Sequence, residues 1–247
     1  MSVHGMSFHE QARDAFRRGD TAVVERLSRH ELDRAREAGD AAGQVDALCM
    51  LARVQVRGGD LAEAGRWAAQ AREVADGSGD KRLGSGPAHI LAGVATMSGE
   101  LETARVLIGE SVTLHQELGD ARMVAVEHHN LGYVELRLGR PDRARELFAE
   151  VRARALAEDW SDMLPYVTAD AAVIADADGD HARSARLLGA AAGAYRAAGQ
   201  IPDPDDAVEQ DALRERLIGA LGADVFDVEY TAGAAQDARR ALALLAV

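Results

Sequence analysis

The sequence predicts an all-α solenoid of five helical hairpins over residues 1–200, with an approximately 40-residue period and a C-terminal helical cap over 201–247. Three observations predict it. Glycine followed by an acidic or polar residue returns at a fixed spacing. Small side chains recur in register with those glycines. Apolar residues make up 47% of the chain but aromatics only 4%, an alanine-rich balance that suits close-packed helices better than a sheet core.

Gly19-Asp20, Gly59-Asp60, Gly99-Glu100, Gly139-Arg140 and Gly179-Asp180 form one series at 40-residue spacing. A second lies halfway between: Gly39-Asp40, Gly79-Asp80, Gly119-Asp120 and Gly199-Gln200, with Asp159-Trp160 as the one departure. Glycine takes the left-handed conformation that ends a helix without a Cβ penalty. The Asp after it accepts hydrogen bonds from the open N–H groups of the next helix. Asp60 with Glu63 has the spacing of a capping box, and Pro141 suits a first helical turn. Each unit therefore divides into two helices of about 16–18 residues.

Apolar spacing of three and four supports those helices. Leu51, Val54, Leu61, Ala64, Trp67, Ala68, Ala71 and Val74 follow it in the second unit. Leu131, Val134, Leu138, Ala144, Leu147, Phe148 and Val151 follow it in the fourth. Neither helix buries its stripe alone, so the hairpins stack. Ala12, Ala52, Ala92, Gly132 and Ala172 form one column of small residues; Val24, Ala64, Ala104, Ala144 and Ser184 form another. These are the expected crossings within each hairpin, and a bulky substitution at Ala64 or Gly132 should cost ~1–3 kcal/mol.

In NLGYVELRLGRPDRARELF, the quartet Leu131, Gly132, Ala144 and Phe148 has the spacing of the tetratricopeptide signature, and the chain resembles that family. The pattern returns as LAR with LAEAG in the second unit and LAG with LETARVLI in the third. It is weaker in the first, where Gln11 and Val24 stand, and in the fifth, with Ala171 and Ser184. The resemblance implies a right-handed solenoid of tetratricopeptide-like hairpins. Its longer repeat, and the tail from ARSARLLGAAAGAYRAAG onward, are similar to the helical sensor region of large LuxR-type and related bacterial signalling ATPase regulators. No GxxxxGK[ST] motif and no helix-turn-helix is visible, so only the sensor part is implied.

Beyond the repeats, IPDP at 201–204 breaks the pattern, because two prolines disfavour a continuous helix. Asp205 to Leu221 reads as one helix with Leu213, Leu217 and Leu221 on one face, and a second helix is expected from about Ala232 to Leu245. These elements cap the fifth hairpin; the alternative is a homodimer surface. Phe226 and Tyr230 are expected to dock the cap, Trp67 to fill a gap between hairpins, and Trp160 to plug a looser turn.

The formal charge of −13 opposes phosphate backbones, so nucleic-acid binding is not expected. Cys49 is the only cysteine, which excludes an intramolecular disulfide and a multi-cysteine metal cluster. No signal-peptide pattern opens the sequence and no apolar run is long enough to span a bilayer, so a cytoplasmic protein is expected. Nothing arranges Ser, His and Asp as nucleophile, base and orienter, and no carboxylate pair stands apart for acid–base work. No enzyme activity and no cofactor is expected.

His9, Cys49, His89 and His129 also lie in a 40-residue column. Hairpins stack at ~8–10 Å, which would set His9 and His89 roughly 16–20 Å apart, whereas zinc ligands converge at ~2.0–2.3 Å from one ion. No shared metal site is expected. The tetratricopeptide resemblance instead places this column on the inner, concave face of the first helices. Arg13 and Arg17, Arg53 and Arg57, Gly93 and Met97, and Tyr133 and Arg137 follow one and two turns on, with Tyr166 and Asp176 from the fifth unit. Guanidinium forks clamp carboxylates or phosphates. The expected ligand contacts are therefore Arg13, Arg17, Arg53, Arg57, His89, His129, Tyr133 and Arg137. The expected partner is a protein or peptide, with acidic character, or a small acidic effector. The competing reading has the arginines balancing nearby carboxylates on solvated helices, and the chain acting as an assembly protein.

Overall fold

A computed structural model describes residues 7–243 and is entirely helical there, with no strand among the described residues. Five hairpins follow in order: α1 (Phe8–Arg17) with α2 (Thr21–Ala38), α3 (Ala41–Gly58) with α4 (Leu61–Ser78), and α5 (Ser85–Met97) with α6 (Leu101–Glu117). Then come α7 (Ala121–Arg137) with α8 (Pro141–Ala157), and α9 (Leu164–Ala177) with α10 (His181–Ala197). Three further helices follow: α11 (Pro204–Leu221), α12 (Ala223–Ala234) and α13 (Ala238–Ala243). The fold is thus the expected repeat of tetratricopeptide-like helix pairs with a helical C-terminal cap. The chain divides between Glu127 and His128 into two compact units.

The 40-residue spacing is a spacing of helix ends. All nine glycines of the two series have positive φ, between 63° and 82°. At the missing tenth position Asp159 adopts the same turn with φ 54°, the only non-glycine to do so among the described residues. The closure is repeated almost without variation: the N–H after the turn residue reaches the carbonyl five residues back. Asp20 to Ala15, Asp60 to Gln55, Glu100 to Ala95, Trp160 to Ala155 and Gln200 to Tyr195 are examples, all at 2.9–3.0 Å. This is the Schellman closure, which satisfies carbonyls left open at a helix end. At Gly79 the Asp80 amide goes to Ser78 Oγ instead, and a single 3-10 turn, Lys81–Gly84, precedes α5.

Entry into the next helix depends on side-chain length. Asp20, Asp40, Asp60, Asp80, Asp120 and Asp180 each accept a backbone N–H two or three residues on. Glu100 and Arg140 make no such bond. The capping box expected at Asp60 forms only by half, because the Glu63 carboxylate turns to Arg66. A complete capping box forms instead at Ser7 and Glu10, opening α1.

The small-residue columns are the hairpin crossings, and their members are buried throughout. Ser184 Oγ donates to the Ala172 carbonyl at 2.7 Å, tying the two columns together in the fifth hairpin. In the fourth, a Cβ on Gly132 would lie 2.7–2.8 Å from Cζ and Cδ1 of the Phe148 ring and closer still to Cε1. Trp67 and Val74 pack against the core formed by Leu48, Leu51, Ala68, Ala71 and Ile90.

The C-terminal segment departs from expectation after α11. The second helix does not begin near Ala232; the chain forms α12 from Ala223 and breaks at Ala235–Asp237, where Asp237 accepts the Arg240 amide and starts α13. The expected end at Leu245 lies outside the described residues. Backbone contact fixes α12: a Cβ on Gly189 would strike the Tyr230 carbonyl, and one on Gly233 the Arg186 carbonyl. Phe226 is buried and stacked with Tyr230, and Arg214 lies 4.9–5.0 Å from both ring centres. Leu213 and Leu217 are wholly buried within the chain, so they line its core rather than a seam between copies.

Candidate binding site on the first helices

In the N-terminal unit, α1 and α3 meet through polar and aromatic contacts. His9 Nδ1 lies 3.6 Å from Asp46. Farther along, the Arg57 guanidinium stands 4.3 Å from the centre of the Phe16 ring and that of Arg53 5.8 Å from it. Arg53 and Arg57 are four residues apart and so share one face of α3, while Phe16 is buried against Met50 and Val54. Cation–π stacking of this kind contributes ~0.5–1 kcal/mol at an exposed site and fixes where the cation stands. Both arginines are half-buried, Arg13 is exposed and Arg17 half-buried. Arg29, Arg34, Arg66 and Arg82 each bind a carboxylate; Arg53 makes no ion pair among the described residues.

His89 on α5 is tied inward. Its Nδ1 lies 2.9 Å from Glu127 Oε1, and Ser111 Oγ donates to the same oxygen at 2.8 Å. Glu127 is fully buried. Burial alone would raise its pKa, but His89 and Ser111 outweigh it and hold the carboxyl below its usual range. The imidazole is thereby oriented with Nε2 directed away from Glu127. Ser111 and His89 both bond to the carboxylate and not to each other, which is the wrong wiring for a nucleophile and its base. His115 is buried nearby, and burial holds its pKa below the ordinary value.

The 40-residue His/Cys column does not converge. His9, His89 and His129 each take a different carboxylate from the first helix of the following hairpin: Asp46, Glu127 and Asp170. Cys49 is buried, and burial pushes its thiol up to about 12, which leaves it unreactive. Among the described residues no group of three or more His, Cys, Asp or Glu could hold a metal ion.

In the C-terminal unit the same faces are covered. His129 and Tyr133 are buried rather than open. His129 Nδ1 lies 3.1 Å from Asp170 on α9, and Nε2 lies 2.9 Å from Asp206 on α11. Burial works against the imidazolium, but the two carboxylates outweigh it and hold its pKa well above the ordinary value. Asp170 and Asp206 are themselves shifted upward by burial, with His129 opposing. Tyr133, Tyr166, Tyr195 and Phe148 surround the pair edge to face at 5.2–5.6 Å in the contacts His129–Tyr133, His129–Tyr166, Tyr133–Phe148 and Tyr166–Tyr195. Tyr166 donates to Asp203 at 3.2 Å, Arg137 lies 3.9 Å from Glu209, and Arg216 bonds Asp176 at 3.1 Å. The covering group is α11, which lies across α7 and α9.

The structure therefore brings Arg53 and Arg57 together over Phe16, and it places His129, Tyr133 and Arg137 against α11. Sequence reasoning missed Phe16, Glu127, Asp170 and Asp206. A signal existed for two of them: Glu127 in MVAVEHH and Asp170 in VTADAAVIA are carboxylates embedded in apolar runs, about one repeat after a histidine.

No protein-family model matches the chain, and no curated protein sequence does at a significant level. Solved structures do match in fold. A Rap protein complexed with Competence and Sporulation Factor superposes with a TM-score of 0.66 at 16% identity, over 97% of this chain and 74% of that one. The apo form of RapI gives 0.59 at 13%, over 96% and 83%. BtubC from P. vanneervenii gives 0.55 at 19%, over 98% and 93%. At these identities the likeness establishes a shared all-α helical-repeat fold. No helix of the described residues is long and apolar enough to cross a membrane.

Proposed function

We propose that the protein is a non-catalytic binding module that captures an acidic peptide or protein segment on the α1 and α3 faces of its N-terminal unit. The observation that carries this reading is the arginine pair over Phe16. In a chain of charge −13, Arg53 is half-buried, stacked and without a carboxylate partner among the described residues. Held cations of this kind give a carboxylate-bearing ligand charge-assisted bonds without first ordering a long side chain. Arg13, Arg17 and Arg57 extend the cationic surface, and His89 presents Nε2 from α5. Acidic ligands are steered to such a patch while nucleic acid meets the net negative charge elsewhere. The complex of a similarly folded Rap protein with Competence and Sporulation Factor is in keeping with a captured ligand, and the resemblance to regulator sensor regions is in keeping with a signalling role.

The test is capture on a peptide array graded in acidic content, followed by titration of the best binder. The wild-type chain retains acidic peptides, and Arg53→Glu with Arg57→Glu weakens that binding at least tenfold while the helical content is unchanged. Equal capture by the double variant would remove the site from this face.

A further inference from the structure

In the C-terminal unit the first-helix faces of α7 and α9 are occupied by the chain itself. We infer that the first two turns of α11, residues 203–210, are an internal stand-in for an acidic helical segment of a partner protein, and that such a segment binds α7 and α9 by displacing them.

Three features of α11 support this. Its contacts with α7 and α9 in these turns are polar and of one sign: Asp203 with Tyr166, Asp206 with His129, and Glu209 with Arg137. Spaced by three residues, these carboxylates form one face of a helix. The receiving face supplies a phenol, an imidazole and a guanidinium, a recognition set for carboxylates.

The second feature is the division of apolar anchorage. In the later turns Leu213 and Leu217 are completely buried, and Arg214 stacks there on Phe226 and Tyr230. The earlier turns instead leave Val208 and the preceding Ile201 exposed. Residues 203–210 bury no large apolar side chain of their own, whereas lifting 213–217 would open the core.

The third is imperfect fit. Asp203 occupies the N-cap position of α11 but gives its side chain to Tyr166, leaving the helix without a side-chain cap. Beneath and within these turns the Tyr195 hydroxyl and Gln210 Nε2 are buried without a hydrogen-bond partner, while the Tyr133 hydroxyl bonds Asp170. Buried groups left unbonded cost stability, so a ligand that satisfies them competes well against the internal segment. Six Asp residues at the starts of the repeat helices do accept a backbone N–H, a bond that Asp203 lacks.

This inference concerns α7, α9 and α11 and does not rest on the reading of Arg53 and Arg57. The probe is a synthetic peptide of residues 201–214, labelled for anisotropy, together with a copy carrying Asp203→Asn, Asp206→Asn and Glu209→Gln. Both are titrated against the full chain, the full-chain variant Asp206→Asn/Glu209→Gln, the milder variant Asp203→Ala, and Arg53→Glu/Arg57→Glu. The acidic peptide should bind the double variant at least tenfold more tightly than wild type and Asp203→Ala about threefold more tightly. The neutral copy should not bind. Hydrogen exchange should rise at 203–210 in both α11 variants while 213–221 stays protected, and Arg53→Glu/Arg57→Glu should leave this affinity unchanged. Binding of both peptides alike, no gain in either α11 variant, or loss of protection spreading through 213–221 and α9 in both would overturn the inference.

Discussion

Replacing Gly132 by alanine should destabilise the C-terminal unit, although the same exchange ordinarily strengthens a helix. An added Cβ would lie 2.7–2.8 Å from two Phe148 ring atoms and closer to a third, against ~3.5–4.0 Å for carbon atoms in comfortable contact. The ring has little room to retreat, because Tyr133 and His129 pack against it at 5.2 and 6.3 Å. Overpacking of this kind costs ~1–3 kcal/mol, and the gain from alanine over glycine in a helix offsets about 0.8–1 kcal/mol of it. The net expectation is a loss of up to ~2 kcal/mol. Gly109 on α6 supplies the control, since a Cβ there meets nothing within 4 Å; Gly109→Ala should stabilise by ~0.5–1 kcal/mol. Urea unfolding read by tryptophan fluorescence separates the units, because Trp67 lies in one and Trp160 in the other. Phe148→Leu should recover part of the Gly132→Ala loss. If Gly132→Ala raised the midpoint as Gly109→Ala does, the close crossing of α7 and α8 would be wrong.

Three further outcomes are expected. Asp159→Gly relieves a left-handed residue and should raise the midpoint reported by Trp160 by up to ~1 kcal/mol, since the Arg239 partner that it loses is an exposed one. Glu100→Asp should create the N-cap that glutamate fails to make and gain about 0.5–2 kcal/mol, read from the Trp67 transition. In proton NMR, His129 should titrate well above its ordinary value and His115 below its own. The signs follow by linkage. The His129 contribution is complete below ~6.5 and is lost as pH rises through its folded pKa, so the C-terminal unit weakens toward alkaline pH. The His115 effect is opposite: it lowers stability as pH falls from about 6.5 through the folded value.

The repeat was legible because it is written in local chemistry. A glycine at φ near 80° and an Asp that caps the next helix need only their neighbours, and both could be read without knowing the partner helix. The exception was legible only as a departure: a looser turn plugged by Trp160 was expected, yet Asp159 takes the glycine's conformation and the Trp160 amide closes the turn as at the other ends. The small columns announced the crossings for the same reason. Long-range pairing was not legible. His129 meets Asp206 across 77 residues, and no local feature of Asp206 distinguishes it from Asp205 beside it. The expected open inner face at His129 and Tyr133 is therefore filled by α11. The spacing that put Arg53 and Arg57 on one face of α3 was correct as geometry, but the buried ring that organises them, Phe16, belongs to another helix and had no such signal. The start of α12 was missed because backbone contact at Gly189 and Gly233 fixes it, which composition does not announce.

The most direct measurement is the affinity of the full chain for an acidic peptide selected on the array, compared with that of Arg53→Glu/Arg57→Glu at two salt concentrations. At least a tenfold loss is expected in the double variant, with a weaker salt dependence, because the lost contacts are ionic. Unchanged affinity and unchanged salt dependence would contradict it.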